Sequence, residues 1–430
     1  MKPISSIVVL GANGAMGAAS GALFALAGIP TVFLARTLER AEAGRAKAVA
    51  LTKGKLATDA IGIGTYADLA QIEQADLVFE AVSEDAAVKR ELFETLDRLR
   101  GPSTIVASVT SGISIARLCA GRSASFRSHF LGVHLFNPPT KIVGCELIPH
   151  AETDPGVVAV VRDLLGRLGR EVVETRDTPA FAGNRLGFRV LNEVAQLAEE
   201  HGVAFMDQLL GVHTGRALAP LATIDLVGWD VHAAIVDNLK TATHDIANDK
   251  FTLPAYMRDG IAAGRLGRKA ALGGFFRIEG KGPDAKTFVL DPRAGTLSPL
   301  VEVEPPEVVR GMQAAGSHVA ALEVMCRAEG TAAELLRQVM LGYISYGLGL
   351  VGDVVERPRD IDRIMAFGFS WAPPGMLVDA IGPGRTIVML EQARLPVPEA
   401  LLQAAVHQRP MFVEAVDASR FFPKARAAAA

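Results

Sequence analysis

Cysteine is scarce: Cys119, Cys145 and Cys326 are the only three in 430 residues, and none lies at metal-ligand spacing from another. That excludes a disulfide-stapled secreted scaffold and makes a reducing cytoplasm the expected setting. Cys145, beside Glu146, reads as a small core residue. An excess of one charge is also missing. The 44 Lys and Arg and 47 Asp and Glu leave a net charge of -3, interspersed without a basic block, so no nucleic acid or anionic membrane is expected as partner. No apolar run approaches the roughly 18 residues needed to cross a bilayer. The N-terminal MKPISSIVVLGANG carries one lysine and a short apolar run broken by glycine, which reads as a first strand and not a signal peptide. The nine histidines contain no HExxH pairing, and no metal site is expected. What is there is a chain 50% hydrophobic, long enough for about two or three domains.

Residues 4–175 alternate short β-rich runs with segments of helical period. Strands are expected at 7–10, 31–35, 77–82, 104–108, 132–136 and 171–174. Between them, 88–99 sets Val88, Leu92, Phe93, Leu96 and Leu99 on one helical face. Near-continuous apolar strands joined by helices predict a parallel sheet covered on both sides. The character changes at Asp177-Thr178-Pro179. Beyond it Leu186, Val190, Leu191, Val194 and Leu197 form a helical stripe, ended by His201-Gly202. The stretch 277–307 has charge, glycine, proline and little periodicity, and reads as a linker between two helical units. Those units echo each other. Asp207, Gly211, Pro220, Asp225 and Gly228 recur as Asp362, Gly368, Pro374, Asp379 and Gly382, with the Pro–Asp and Asp–Gly intervals identical in both. A duplicated helical module accounts for this, with chance similarity in an Ala-, Gly- and Leu-rich chain as the alternative. The terminal ARAAAA is expected to fray.

Three places carry chemistry. Strand 7–10 runs into Gly11-Ala12-Asn13-Gly14-Ala15-Met16-Gly17 and then an Ala-rich helix. Such glycines allow a tight turn and close approach of a pyrophosphate, and a helix N-terminus supplies oriented N–H donors. The competing reading is a glycine-rich packing turn. At the end of the second strand, where an acid would bind the adenosine ribose, stands Arg36, with Thr37 and Arg40 nearby. An arginine there favours a 2′-phosphate, hence NADP; stacking on adenine would leave NAD acceptable. The third place is 130–146, FLGVHLFNPPTKIVGCE, where His134 and Glu146 interrupt apolar sequence. Pairing would offset the cost of burying either charge, fix one imidazole tautomer and raise its basicity. A satisfied core histidine beside an unrelated surface glutamate is the bland alternative.

With the strand–GxxGxxG–helix opening and the HxFNPP...E segment in view, the chain resembles the 3-hydroxyacyl-CoA dehydrogenase family, from about residue 5 to about 390. The likeness is greatest to the dehydrogenase portion of multifunctional fatty-acid β-oxidation proteins. It implies an α/β Rossmann-like N-terminal domain with a parallel sheet at 1–178, followed by two related all-α helical domains at 179–300 and 301–430. It also implies His134 as base, Glu146 as its partner, and Ser111 and Asn184 as the remaining catalytic pair. Glu84, Lys89 and Ala81 would line the cofactor, as would Asn137 and Ser111 together with Gly11, Asn13, Gly14, Ala15, Met16, Gly17 and Arg36. Val109 stands where the family has asparagine, Arg36 where it has aspartate, and the glycine loop is one residue longer.

The resemblance implies oxidation or reduction at C3 of 3-hydroxyacyl-CoA or 3-ketoacyl-CoA thioesters, with NAD as cofactor and NADP as the variant Arg36 would favour. Taken singly, Ser111 is equally a strand-end turn serine and Asn184 a helix cap. Two other classes compete: a catalytically silent nucleotide- or CoA-binding scaffold, and a related β-hydroxyacid dehydrogenase. The latter uses a second-domain lysine, which the Asn184 helix does not offer. An acyl-CoA substrate is the expected ligand, with other β-oxidation enzymes as associates. Apolar helices need a partner face, which either a homodimer or, through internal duplication, a monomer supplies.

Overall fold

The computed structural model describes residues 2–243 and 246–422; the ARAAAA terminus lies outside the described residues. The chain divides into two compact units. One runs to Phe181 and takes in Phe367–Phe369; the other comprises Ala182–Ala366 and the described residues from Ser370.

The first unit follows from alternating apolar runs and helices. Its elements are β1 (Ile7–Leu10), α1 (Ala15–Leu26), β2 (Thr31–Ala35), α2 (Leu38–Leu51), β3 (Ile61–Thr65), β4 (Leu77–Glu80) and α3 (Ala86–Leu99), then β5 (Ile105–Ser108), α4 (Ile115–Cys119), α5 (Ala124–Ser128), β6 (Phe130–Leu135), β7 (Gly144–Ile148), α6 (Pro155–Arg167) and β8 (Glu171–Glu174). The eight strands form one sheet in the order β3-β2-β1-β4-β5-β6-β7-β8. β1 to β6 pair in parallel, which brings their C-terminal ends to one edge. β7 runs antiparallel to β6 and β8 parallel to β7. The order reverses between β1 and β4, the kind of switch point beyond which open α/β sheets leave a crevice. Separate cores, one around Phe24, Phe33 and Phe79 and one around Phe93, Phe126 and Phe130, cover the two faces of the sheet.

Two strands escape the apolar-run criterion, β3 (IGIGT) and β7 (GCELI), because glycines and a glutamate interrupt them. Helix α3 forms where its periodicity places it, with the Asp85 side chain capping Ala87 and Val88. Its buried face differs from the expected one. Val88 and Leu99 are 46% and 38% exposed, whereas Phe93, Leu96 and Lys89 are buried.

The second unit opens with α7 (Gly183–His201), which Gly202 ends at φ 86°. The sequence echo is an echo of hydrogen bonding. Asp207 accepts N–H bonds from Leu221 and Ala222 at the start of helix Pro220–Val227, and Asp362 accepts one from Gly375 at the start of helix Pro374–Ile381. Asp225 takes the N–H groups of Phe275 and Phe276; Asp379 takes those of Met411 and Phe412. Gly228 (φ 108°) and Gly382 (φ 98°) turn the chain into the next helix. An antiparallel bridge between Arg216 and Trp371 joins the two matching stretches.

The stretch expected to be a linker is structured. β9 (Phe276–Glu279), β10 (Lys286–Asp291) and β11 (Thr296–Pro299) make a three-stranded antiparallel sheet in the order β11-β10-β9. Only Leu290 of these strands is buried, so there was little inward-facing apolar pattern to read. Among the described residues, no helix is long and apolar enough to cross a membrane.

Candidate active site

The glycine loop joins β1 to α1 at the sheet's C-terminal edge. Gly11 has φ 76°, and a Cβ there would lie 2.4 Å from the Ala81 carbonyl oxygen, so only glycine fits. A Cβ at Gly17 would meet the Gly11 carbonyl at 2.6 Å. Gly14 occupies the N-cap of α1, so no side-chain oxygen covers the first-turn N–H groups. Asn13 and Ala15 are exposed and Met16 half-buried. A bare helix start behind a tight backbone turn is what a pyrophosphate requires, and the residues fit a dinucleotide. Arg36 is exposed just past β2. Tyr66 lies between this loop and Arg36. Burial raises its phenol pKa, with Glu80 adding to the rise and the Gly11 backbone hydrogen bond and Arg36 opposing it.

Next along the edge is a polar network that sequence reasoning only half found. Lys89 and Glu80 are both buried, and the Lys89 ammonium donates to the two Glu80 oxygens at 2.7 and 3.0 Å. Glu80 also accepts from the Val82 N–H (2.7 Å) and the Ser108 hydroxyl (2.5 Å). Lys89 stands 3.6 Å from Glu84, which accepts from the Thr110 hydroxyl (2.6 Å) and the Ser111 N–H (2.7 Å). Glu84 thus holds the loop that carries Ser111. Glu80, Ser108 and Thr110 were missed. The available signal was an acid closing the apolar strand LVFE, nine residues before a lysine.

His134 and Glu146 stand directly opposite in the β6–β7 ladder. Their side chains meet at 2.6 Å, Nδ1 to Oε2, with His134 4% and Glu146 0% exposed. A carboxylate only accepts, so Nδ1 carries the proton of this contact, and in the neutral ring the lone pair is on Nε2. Phe136 and Phe181 flank the ring at 4.8 and 5.8 Å between centroids. Arg170 ties down the connecting segment through the Pro139 and Ile142 carbonyls. Asn137 is exposed two residues past β6, and Ala81 is half-buried after β4.

The structure therefore brings Gly11–Gly17, Ala81, Glu84, Ser111, His134 and Asn137 to the ends of β1, β4, β5 and β6 in one unit, and buries Lys89 behind Glu84. Asn184 is buried in the first turn of α7, in the other unit. No group of three potential metal ligands occurs among the described residues.

A glycine cradle at β1 and a mostly parallel sheet, followed by a helical second unit, define the class: a Rossmann-type fold of the dinucleotide-binding kind. Residues 6–178 match the family model of the 3-hydroxyacyl-CoA dehydrogenase NAD binding domain, and residues 181–276 that of its C-terminal domain. The chain belongs to the 3-hydroxyacyl-CoA dehydrogenase family, and NAD is the cofactor of its N-terminal domain. A probable 3-hydroxyacyl-CoA dehydrogenase of Bacillus subtilis is 32% identical over 336 residues, which is 77% of this chain and 42% of that protein. The chain thus spans less than half of that relative's length. A probable 3-hydroxyacyl-CoA dehydrogenase of Deinococcus radiodurans is 33% identical over 286 residues, 63% of this chain and 82% of that one. The crystal structure of 3-hydroxybutyryl-CoA dehydrogenase from Escherichia coli K12 superposes with a TM-score of 0.69 over 94% of this chain and 99% of that one; at 20% identity the likeness is one of fold.

Proposed function

We propose that this chain interconverts 3-hydroxyacyl-CoA and 3-ketoacyl-CoA thioesters in fatty-acid β-oxidation, with His134 as the proton-transfer residue. The observation that carries the reading is the buried 2.6 Å His134–Glu146 pair at the edge where the glycine cradle also lies. Glu146 fixes the Nδ1–H tautomer, leaving Nε2 to take the proton of the C3 hydroxyl, and its charge steadies the imidazolium that results. Ser111 hydrogen-bonds a substrate oxygen as a neutral donor, and the family resemblance gives Asn184 a catalytic role of its own. Gly11, Asn13, Gly14, Ala15, Met16 and Gly17 hold the pyrophosphate. Arg36 lies on the adenosine side, and Ala81, Glu84, Lys89 and Asn137 on the nicotinamide side. Bound NAD supplies the hydride acceptor.

The test is spectrophotometric turnover of acetoacetyl-CoA with NADH and with NADPH, beside His134→Gln. Wild-type turnover lost in the variant supports the reading. Dinucleotide binding without turnover would turn it into a scaffold, and activity on free hydroxyacids but not thioesters would move it to the hydroxyacid dehydrogenases.

A further inference from the structure

We infer that Glu80 is a positioning residue for the Ser111 loop, acting through Lys89 and Glu84; the inference rests on the proposed role of Ser111. The chain of contacts is continuous. Glu80, at the last position of β4, makes four hydrogen bonds: to Val82 N–H, to Ser108 and two to the Lys89 ammonium. Lys89, fully buried, faces Glu84 at 3.6 Å on its other side. Through one oxygen Glu84 receives both Thr110 Oγ1 and Ser111 N–H. Thr110 in turn accepts the Ile113 N–H at 3.0 Å.

A purely structural role accounts poorly for this. Taking an ammonium and a carboxylate out of water costs several kcal/mol each, and a well-packed apolar pair of similar volume is often as stable. The sheet already has an apolar core on both faces at this level. What an apolar pair would not supply is a fixed cation for Glu84, which is itself 43% exposed and hence free to turn toward water. Lys89 gives Glu84 one orientation, and Glu84 passes that to the backbone at Ser111.

The experiment compares wild type, Glu80→Gln and the doubly neutral Glu80→Gln/Lys89→Met protein by amide hydrogen exchange, thermal unfolding and acetoacetyl-CoA kinetics. Both variants should exchange the amides of residues 110–113 at least about tenfold faster, with β6 unchanged. Neutralising both charges should return the melting temperature toward wild type while exchange at residues 110–113 stays fast, and Glu80→Gln, which leaves Lys89 in place, should lower kcat/KM at least about tenfold. Unchanged exchange in residues 110–113, or recovery of exchange and turnover together with stability in the double variant, would overturn the inference. Ser111→Ala separates the two levels. If it leaves kcat/KM intact, the role given to Ser111 falls; if it lowers kcat/KM while Glu80→Gln does not, only the role of Glu80 falls.

Discussion

A carboxylate buried opposite an imidazole in a β-ladder can only accept, and that one constraint sets the chemistry at His134. The pair sits at 2.6 Å. Replacing the ring by an amide, His134→Gln, removes the proton acceptor, and kcat should fall by about 10²–10⁴ while NADH affinity in fluorescence titration holds. Glu146→Gln is subtler. Its amide both donates and accepts, so the proton need no longer reside on Nδ1, and kcat should fall on the order of 10² with NADH affinity again intact. Lost NADH binding in either variant would mark the pair as structural. Arg36 raises a separate question of coenzyme choice, since it stands exposed where an acid would read the ribose hydroxyls. Arg36→Asp should move the NADPH/NADH ratio of kcat/KM toward NADH by at least about tenfold, the worth of one charge-assisted contact. An unchanged ratio would reject the 2′-phosphate reading of this position.

Elements are where the glycine cradle can be tested apart from catalysis. Gly11→Ala must both hold φ 76° and place a methyl 2.4 Å from the Ala81 carbonyl, so β1 or β4 has to shift. The expected cost is about 1–3 kcal/mol in urea unfolding, with NADH binding abolished. Gly28→Ala is the control: its φ is 75° with nothing within 4 Å, so it should cost about 1 kcal/mol and leave binding alone. Equal effects on binding would mean that the turn at Gly11 does not shape the nucleotide site. The same scale separates what was legible in the sequence from what was not. β1, β2, β4, β5 and β6 announce themselves as apolar runs, and His134 and Glu146 stand out because they break such a run. β7 did not, because its Glu146 is compensated across the ladder and not along the strand. The burial of Lys89 was not legible, because its counter-ion ends β4, before the helix begins. Local periodicity sees neighbours at three or four residues; burial of a charge is decided by partners farther off. The surface sheet β9–β11 lacked an inward apolar face for the same eye to find.

At the scale of the whole molecule, the second unit contains the groups most sensitive to pH. His232 is fully buried, with Nε2 donating to the Asn192 side-chain oxygen at 3.1 Å, and its burial holds the ring neutral. Burial pushes its pKa down to about 3, and that of His213 to about 4. In the unfolded chain both return to about 6.5. As pH falls below that value the unfolded chain binds the protons first, so their stabilisation is complete above it and is lost progressively toward the folded values. For His232 the loss between pH 7.5 and 5 is about 2 kcal/mol. The repeat's carboxyls work the other way. Burial raises Asp207 to about 7 and Asp362 to about 8, so the folded form holds protons that the unfolded chain has released, and stability declines as pH rises through those values. The two sets oppose each other, and a wild-type pH profile alone would not separate them. Urea unfolding of His232→Gln at pH 7.5 and 5 does so. Glutamine keeps an N–H donor for Asn192 but takes up no proton, so the change in stability from pH 7.5 to 5 should be about 2 kcal/mol more favourable in the variant than in wild type. Asp362→Asn should deviate from wild type in the opposite sense. Parallel changes in wild type and His232→Gln would mean that the buried ring accepts its proton without unfolding, and that the helical unit opens to water around it.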